Sequence, residues 1–178
     1  MSLPQIRTYG DPVLKMATED VTDIDGRVAA LADQMIEVMY EAPGAGLAAN
    51  QIGIQRRVFV YDLGDGPVTV INPRIVESDG EFVFDEGCLS VPGLWWEIVR
   101  PDRVHLVGLD LDGNDISLEA AGYEGRVLQH EIDHLDGVLL VDRLDDDQRR
   151  KARRALRSMS LDRTTRREAD DLGLFRRR

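Results

Sequence analysis

Apolar residues near the start of the chain recur at the spacing of one helix face. The face consists of Ile24, Val28, Leu31, Met35 and Met39. Thr22 with Asp25 resembles an N-terminal capping box, and the "APGAG" segment is typical of a helix end. The pattern predicts a long first helix over residues 21–42, with both methionines in the core.

From Arg57 to about Gly122 the pattern changes to short runs rich in β-branched and aromatic residues, separated by turn residues. The predicted strands are, in chain order, "RVFVYDL", "VTVINP", "GEFVFDE", "WWEIV", "RVHLVGLDL" and "DISLEAAG". Residues 64–67 predict a turn between the first two strands. Residues 112–115 contain a glycine and predict a hairpin between the last two.

Helical periodicity returns in "YEGRVLQHEIDHLDGVLLVDRL", where Val127, His130 and His134 share one face and Gly137 suits a C-cap. Residues 145–147 begin a third, Arg-rich helix that extends through about Met159. The order helix, strands, helix, helix predicts an α+β fold rather than alternating βαβ units.

The chain has 178 residues and shows no internal repeat or linker, so we expect a single domain over residues 1–178. Residues from about 160 to 178 are a candidate flexible basic tail. The apolar fraction of 43% and charged fraction of 31% are typical of a soluble globular protein. A secretory signal is missing from the N-terminal segment, and no apolar run approaches the roughly 18 residues that span a bilayer. One cysteine leaves no partner for an internal disulfide, so we expect a cytoplasmic protein.

Charge is distributed unevenly along the chain. Residues 145–178 carry 12 Lys+Arg against 7 Asp+Glu, a net charge of +5. Residues 1–144 therefore carry a net charge of −16, and the two parts add to the total of −11. An acidic body repels nucleic acid, whereas the basic tail is a candidate contact for it. The alternative is that the basic helix simply presents a solvated face.

The segment "QHEIDH" predicts metal chemistry. His130 and His134 lie four residues apart, so one helix face presents both imidazoles to one cation, and Glu131 between them is placed to face a bound water. The alternative is an exposed helix with incidental histidines. The remaining histidine, His105, alternates within a predicted strand and is expected to be structural.

Two histidines do not complete a catalytic metal site, which needs a further protein ligand. Zinc peptidases take that ligand from a Glu or His after the motif, and Glu168 is available there. The single cysteine, Cys88, lies upstream in "FDEGCLSVPG", where a turn at a strand end could direct it to the helix. The residues therefore favour a Cys-His-His site.

The segment "GAGLAANQIG", residues 44–53, contains glycines such as Gly46 that permit close backbone approach, and Gln51 offers an amide donor. The alternative is an ordinary Gly- and Ala-rich helix exit. Without a Gly-Lys-Ser/Thr ending it is not a phosphate-binding loop.

Three motifs in order, "GAGLAANQ", "EGCLS" and "QHEIDHLDG", closely resemble the peptide deformylases, which remove the N-formyl group from nascent polypeptides. The agreement spans most of residues 8–143, including "YGDPVL" near the start. The resemblance implies antiparallel sheets that enclose a central metal-binding helix, with a long N-terminal and a C-terminal helix.

The resemblance also implies residue roles. Cys88, His130 and His134 would hold one divalent metal per chain, with iron(II) as the natural ion and zinc, nickel or cobalt as substitutes. Glu131 would be the general acid and base, and the Gln51 side chain and the Leu89 N–H would face the oxygen of the formyl group.

A pocket for methionine is expected beside these groups. Tyr123 and Val127 share the His130 helix face and are candidates to line it, with ordinary core packing as the alternative. Gly46 and Ala45 are further substrate-binding candidates, although Ala45 is smaller than the apolar residue common in the family. The segment "GLWWEIV" departs from the family too, because some members carry a basic residue near Trp95. Either Trp95 and Trp96 pack within the protein, or one of them borders the substrate groove.

The expected substrates are N-formylmethionyl nascent peptides, and the ribosome is a candidate partner of the basic C-terminal helix. Two other functions remain open on the residues alone. One is a zinc peptidase that uses the same helix motif, and the other is a ribosome-associated binding protein without catalysis.

Overall fold

The computed structural model describes residues 3–171, with side chains described through Ser158. The chain divides into two compact units, Met1–Leu140 and Val141–Arg178.

Within residues 3–140, the first unit contains two helices and seven strands. The helices are α1 (Gly26–Glu41) and α2 (Gly122–Leu135). The strands are β1 (Gly46–Ala48), β2 (Val58–Tyr61), β3 (Val68–Asp79), β4 (Phe82–Gly87), β5 (Trp95–Arg100), β6 (Arg103–Leu109) and β7 (Asp115–Ala121). Short 3-10 helices occupy Pro12–Lys15, Ala49–Ile52 and, at the boundary between the units, Leu140–Asp142.

Helix α1 begins later than the capping-box prediction placed it. Its N-cap is Asp25, whose Oδ1 accepts hydrogen bonds from the amides of Arg27 and Val28 at 2.9 and 3.3 Å. The prediction of Thr22 as the cap was wrong, because Asp25 can satisfy the first free amides itself. Met35 and Met39 are fully buried in the core, as the apolar stripe predicts.

Five strands form one antiparallel sheet in the order β1-β2-β3-β6-β7. The predicted turn between β2 and β3 and the hairpin between β6 and β7 are both present. Strand β3 continues six residues beyond the predicted end at Pro73. A register shift between Ile71 and Arg74 accommodates the proline, and Asn72 has a φ of 52° there.

The remaining two strands, β4 and β5, form a separate antiparallel hairpin. One face of this hairpin holds buried side chains, including Glu86, Ile98 and Arg100. The other face carries exposed side chains at alternate positions, as the period of two in a strand requires.

Helix α2 lies between the five-stranded sheet and the hairpin. Leu128, Ile132 and Leu135 pack into the core formed with Phe59 and Leu106 of the sheet. Other helix residues form ion pairs with the hairpin. Its C-cap is Asp136, and Gly137 follows with a φ of 72°, close to the predicted helix end. The α+β prediction with antiparallel sheets around a central helix is confirmed.

The second unit contains helix α3 (Asp146–Asp171), which extends beyond the predicted end at Met159. Asp145 and Gln148 form a reciprocal cap, with the Gln148 amide donating to Asp145 Oδ1 at 2.7 Å and the Asp145 amide to Gln148 Oε1 at 3.3 Å. The end of the predicted flexible tail, residues 172–178, lies outside the described residues. Across the described helices, none combines the length and hydrophobicity required to cross a bilayer.

Candidate active site

A cysteine and two histidines meet at one point of the first unit. One donor atom from each of Cys88, His130 and His134 lies within 4.8 Å of the other two. Cys88 Sγ is 3.2 Å from His134 Nε2. In the sequence, Cys88 lies 42 residues before His130 and 46 before His134, and the two histidines are one helical turn apart. The fold brings all three donors together.

Local structure explains why these donors converge. Helix α2 presents His130 and His134 one turn apart, with ring centroids separated by 5.0 Å. Cys88 directly follows β4, in a tight turn where the Val91 amide donates to the Cys88 carbonyl at 2.9 Å. The hairpin packs on α2, so the end of β4 directs the thiol towards the helix.

The first histidine is oriented by a carboxylate. His130 Nδ1 lies 3.1 Å from Glu86 Oε2, which favours a proton on Nδ1 and leaves the Nε2 lone pair for a metal. Arg100 donates to both Glu86 oxygens at 2.6 and 3.0 Å, and Arg126 donates to Oε1. Burial opposes ionisation of Glu86, but the hydrogen bonds from His130 and Arg100 outweigh it and hold the pKa of this carboxyl well below its usual range.

The second histidine is held differently. His134 is 1% exposed, and its Nδ1 is buried without a hydrogen-bond partner in the described part of the chain. Support comes through the main chain instead, since the Asn50 side chain donates to the His134 carbonyl. The position of this imidazole therefore depends on packing and on the end of α2.

The electrostatics of the cluster suit a cation. Burial disfavours a thiolate, yet the two adjacent imidazoles outweigh it and hold the pKa of Cys88 well below its usual range. Burial likewise disfavours a charged His130, but Cys88 and Glu86 raise its pKa well above the usual value. The surroundings therefore favour positive charge at this point. One sulfur and two imidazole nitrogens are also suitable ligands for a divalent transition metal.

A cavity of about 380 Å³ opens beside the cluster. It is lined by nine of the ten residues that the sequence singled out: Ala45, Gly46, Gln51, Cys88, Leu89, Tyr123, Val127, His130 and Glu131. The tenth, His134, lies buried beside Cys88. Residues predicted from three separate segments thus share one site.

Glu131 depends on a glycine for its place in the cavity. A Cβ added to Gly46 would lie 2.5 Å from Glu131 Oε1, so only glycine leaves room for this carboxylate. Glu131 is 4% exposed, and its Oε2 is buried with no hydrogen-bond partner within the described residues. Burial is the main cause that raises the pKa of Glu131 to about 7.

Gln51 and Leu89 occupy the same wall. Gln51 Oε1 accepts a hydrogen bond from the Ala48 amide at 2.8 Å, which fixes its carboxamide, and Nε2 lies 3.2 Å from Ser90 Oγ. Leu89 follows Cys88, and its side chain would contact any Cβ placed at Gly44. The two glycines of the "GAG" segment therefore let β1 approach both α2 and the Cys88 turn.

Sequence reasoning missed several residues of this site. Glu86, Arg100 and Arg126 form a buried ion network behind His130, and Phe84 lines the cavity. Trp95, for which the sequence left packing and a place at the groove open, lines the cavity as well. The signal available in the sequence for this network was Glu86, an acidic residue two positions before Cys88. Its partners are distant in sequence, and pairing between strands and helix was needed to find them.

The family model that describes polypeptide deformylases matches residues 3–150. The chain belongs to the polypeptide deformylase family. This confirms the family to which the three motifs pointed.

Similar proteins cover nearly the whole chain. A deformylase of Acidothermus cellulolyticus is 48% identical over 158 residues, which is 88% of this chain and 87% of that protein. A deformylase of Thermotoga maritima is 45% identical over 164 residues, which is 92% of this chain and 99% of that protein.

Solved deformylase structures share the fold. The peptide deformylase of Legionella pneumophila has a TM-score of 0.85 at 37% identity and covers 92% of this chain and 98% of its own. The peptide deformylase of Ehrlichia chaffeensis in complex with actinonin has a TM-score of 0.84 at 37% identity and covers 89% and 98%.

Proposed function

We propose that the protein is a metal-dependent hydrolase that removes the N-formyl group from the N-terminal formylmethionine of newly made polypeptides and releases formate. The observation that carries this proposal is the convergence of Cys88, His130 and His134 beside Glu131 at one cavity, in a chain of the deformylase family. Because the substrate is a nascent chain, we assign the activity to the cytoplasm.

Cys88, His130 and His134 would hold the metal, one ion per chain. When bound, a divalent metal supplies Lewis-acid activation of a water and of a carbonyl group. A thiolate with two imidazoles accommodates several first-row ions. We propose iron(II) as the ion in the cell, with zinc, nickel or cobalt as working substitutes.

Glu131 would move the proton. Its pKa of about 7, raised by burial, lets the carboxyl accept a proton from the attacking water and return it to the leaving amine near neutral pH. The unpartnered Oε2 supports this role, because no other protein group in the described residues competes for that oxygen.

Gln51 and Leu89 would stabilise the negative charge that develops on the formyl oxygen. The hydrogen bond from the Ala48 amide holds the Gln51 carbonyl oxygen away and leaves the amide nitrogen as the donor. The Leu89 amide follows directly after Cys88, so it is close to the reacting group. One such donor is worth about 2.7–4 kcal/mol in the transition state.

The methionine side chain would lie against Ala45, Tyr123 and Val127. Gly46, which has no side chain, would let the substrate come close to the backbone of the protein. Val127 is buried and also belongs to the core behind the cavity, whereas Tyr123 is 48% exposed. The small side chain of Ala45 would leave more room beside it than the larger apolar residue common in the family.

A zinc peptidase with the same helix motif would need its third ligand after His134. Cys88 Sγ already lies 3.2 Å from His134 Nε2, which favours the cysteine as the third ligand. Substituting Cys88→Ala separates the two functions. A deformylase loses the metal, whereas a peptidase with a downstream ligand keeps it.

The test is an assay of purified protein on a short N-formylmethionyl peptide, with metal analysis alongside. We expect formate release, about one metal per chain, and loss of both metal and turnover in Cys88→Ala. A Ser78→Ala variant on β3 serves as the surface control. An intact, metal-loaded protein that releases no formate would refute the proposed function.

We also propose that helix α3 docks the enzyme on the ribosome. The exposed basic residues of its described part are Arg150, Lys151, Arg153, Arg154 and Arg157. A basic helix of this kind binds phosphate backbones in a salt-dependent way. Reversing the charge at Arg153, Arg154 and Arg157 should weaken ribosome association at low salt while free-peptide turnover stays unchanged. Unaltered association would exclude α3 as the contact.

A further inference from the structure

The residue before Gln51 links the short 3-10 helix of the cavity wall to the C-terminal end of α2. Asn50 is fully buried within the 3-10 helix Ala49–Ile52, and its Nδ2 donates a hydrogen bond to the main-chain carbonyl of His134. Gln51 lines the cavity, whereas Asn50 is not one of its lining residues. Any effect of Asn50 on the reaction therefore passes through other residues, and His134 is the one to which its side chain donates.

This hydrogen bond is not needed to satisfy the polar groups of the fold. The His134 carbonyl also accepts from the Gly137 amide at 3.0 Å. Asn50 Oδ1, by contrast, is buried and has no hydrogen-bond partner in the part of the chain that the structure describes. A buried amide oxygen in that situation lowers the free energy of unfolding. An apolar side chain of the same shape would remove the unsatisfied oxygen and leave the carbonyl paired.

The hydrogen bond holds a part of α2 that is prone to open. His134 is the second-last residue of α2, and the last turn of a helix frays more readily than its middle. Glu86 restrains the His130 ring at Nδ1, but the Nδ1 of His134 has no such partner among the described residues. The position of the second imidazole therefore depends on the position of its main chain.

The same hydrogen bond joins the two sets of groups that the proposed reaction uses. Asn50 and Gln51 are consecutive residues of the 3-10 helix. The contact with His134 therefore ties the element that carries the amide donor of Gln51 to the helix that carries two candidate metal ligands. The positions of these groups are coupled through this contact.

We propose that Asn50 is a positioning residue of the metal site, whose carboxamide fixes the main chain at His134 and so keeps Nε2 of that imidazole beside Cys88 Sγ. These two atoms are 3.2 Å apart. The inference rests on the proposed function for the identity of the three ligands. Because the contact acts on ligand geometry rather than on the folded state as a whole, its loss should weaken metal binding without lowering stability.

The first variant is Asn50→Leu, which keeps the number and branching of the side-chain heavy atoms and removes the donor. Zinc is titrated into the full chain after metal removal, in competition with a chromophoric chelator. We expect a dissociation constant about tenfold higher than in the wild type. The midpoint of urea unfolding should be unchanged or higher, because the unsatisfied oxygen is gone.

Two further measurements follow the position of the ligand itself. With cobalt(II) as the probe, the ligand-field absorption bands should differ between Asn50→Leu and the wild type, because the coordinating imidazole is less fixed. With an N-formylmethionyl peptide, kcat should fall while KM stays near the wild-type value, because Asn50 is not a lining residue of the cavity.

Gln55 provides a matched control. Its Nε2 donates to the Val13 carbonyl at 3.0 Å, and its Oε1 is likewise buried without a hydrogen-bond partner in the described residues. Gln55→Met therefore removes the same kind of amide, but its hydrogen bond does not involve α2. The zinc dissociation constant and the cobalt spectrum of this variant should match those of the wild type.

A second variant separates positioning from stability. Asn50→Ala also lacks the donor, but it leaves a cavity that Asn50→Leu fills. A positioning role predicts the same loss of zinc affinity in both variants, whichever is the more stable. A loss that scales with the urea midpoint instead would overturn the inference, and so would a wild-type cobalt spectrum in both.

The inference and the proposed function can fail separately. A wild type that binds zinc but releases no formate would refute the proposed function, while the zinc affinities would still test Asn50. Formate release together with wild-type zinc affinity in both Asn50 variants would refute only the positioning role.

Discussion

Glu86 and Glu131 are two equally buried carboxylic acids in one cavity, and their electrostatic properties are opposite. Each is 4% exposed. Glu86, on β4, contacts Arg100, Arg126 and His130, and its pKa lies well below the usual range. Glu131, on α2, has an oxygen without any partner in the described residues, and burial raises its pKa to about 7.

The difference shows that charged partners, rather than burial, decide what a carboxylate can do. Burial alone favours the neutral acid at both positions. At Glu86 fixed cations reverse that preference, so the group stays ionised and serves to orient His130. At Glu131 no such cation is bound to the free oxygen, so the group can gain and lose a proton near neutrality.

The largest effect is expected when the unpartnered acid is changed. Glu131→Gln keeps the volume but removes the proton-transfer group, so kcat should fall by about 10²- to 10⁴-fold. Metal content, measured by elemental analysis, should stay near that of the wild type because Glu131 is not one of the three donors. Full activity in this variant would show that the contrast between the two acids has no catalytic meaning.

Changing the paired acid should affect stability instead. Glu86→Gln leaves Arg100 and Arg126 buried without their shared carboxylate, which costs about 3–5 kcal/mol. Urea unfolding measures this loss, and metal titration should show weaker binding because His130 loses its orienting partner. Glu77→Gln, at an exposed position of β3, should stay within about 0.5 kcal/mol of the wild type.

Replacing Gly46 would displace Glu131 by steric contact alone, without changing the charge of either acid. In Gly46→Ala the new Cβ would lie 2.5 Å from Glu131 Oε1, so the carboxylate must move, and overpacking costs about 1–3 kcal/mol. Turnover and unfolding should both deteriorate. Gly26→Ala at the start of α1 meets no atom within 4 Å and is the matched control.

A double variant sharpens that result. Since the clash involves the Glu131 side chain, Gly46→Ala should cost less stability in a Glu131→Ala background than in the wild type. Equal costs in both backgrounds would indicate that Gly46 has a different structural role.

The smallest effect is expected at the edge of the paired network. Asp133 Oδ2 accepts from Arg100 at 2.7 Å, and Asp133→Asn keeps an acceptor of the same size while removing the charge. We expect a loss of about 1.5 kcal/mol in urea unfolding and nearly unchanged kcat. A loss as large as that of Glu86→Gln would mean that Asp133, rather than Glu86, anchors Arg100.

The three candidate donors could be proposed from the sequence because their signals are local. His130 and His134 are one helical turn apart, and Cys88 lies in a short motif, so each position is evident within a few residues. The strands after Arg57 were evident in the same way, from alternation and turn residues. Strand β1 was missed, because "GLA" lacks the β-branched residues that mark the other strands.

The parts that escaped prediction depend on contacts between distant segments. Pro73 predicts a strand end, yet a local register shift lets β3 continue to Asp79. Arg126 is a charged residue within a helix, for which solvent exposure is the usual expectation, and only its pairing with Glu86 of β4 explains its burial. No local pattern in the chain indicates that pairing.

The alternation of the β4–β5 hairpin has a practical consequence for protein engineering. Its inward positions hold the Glu86–Arg100 pair and cannot vary independently, whereas its outward positions face solvent. A combinatorial library limited to positions 83, 95, 97 and 99 would therefore vary the outer face of the hairpin, including Trp95 at the cavity, while the inward Glu86–Arg100 pair stays unchanged.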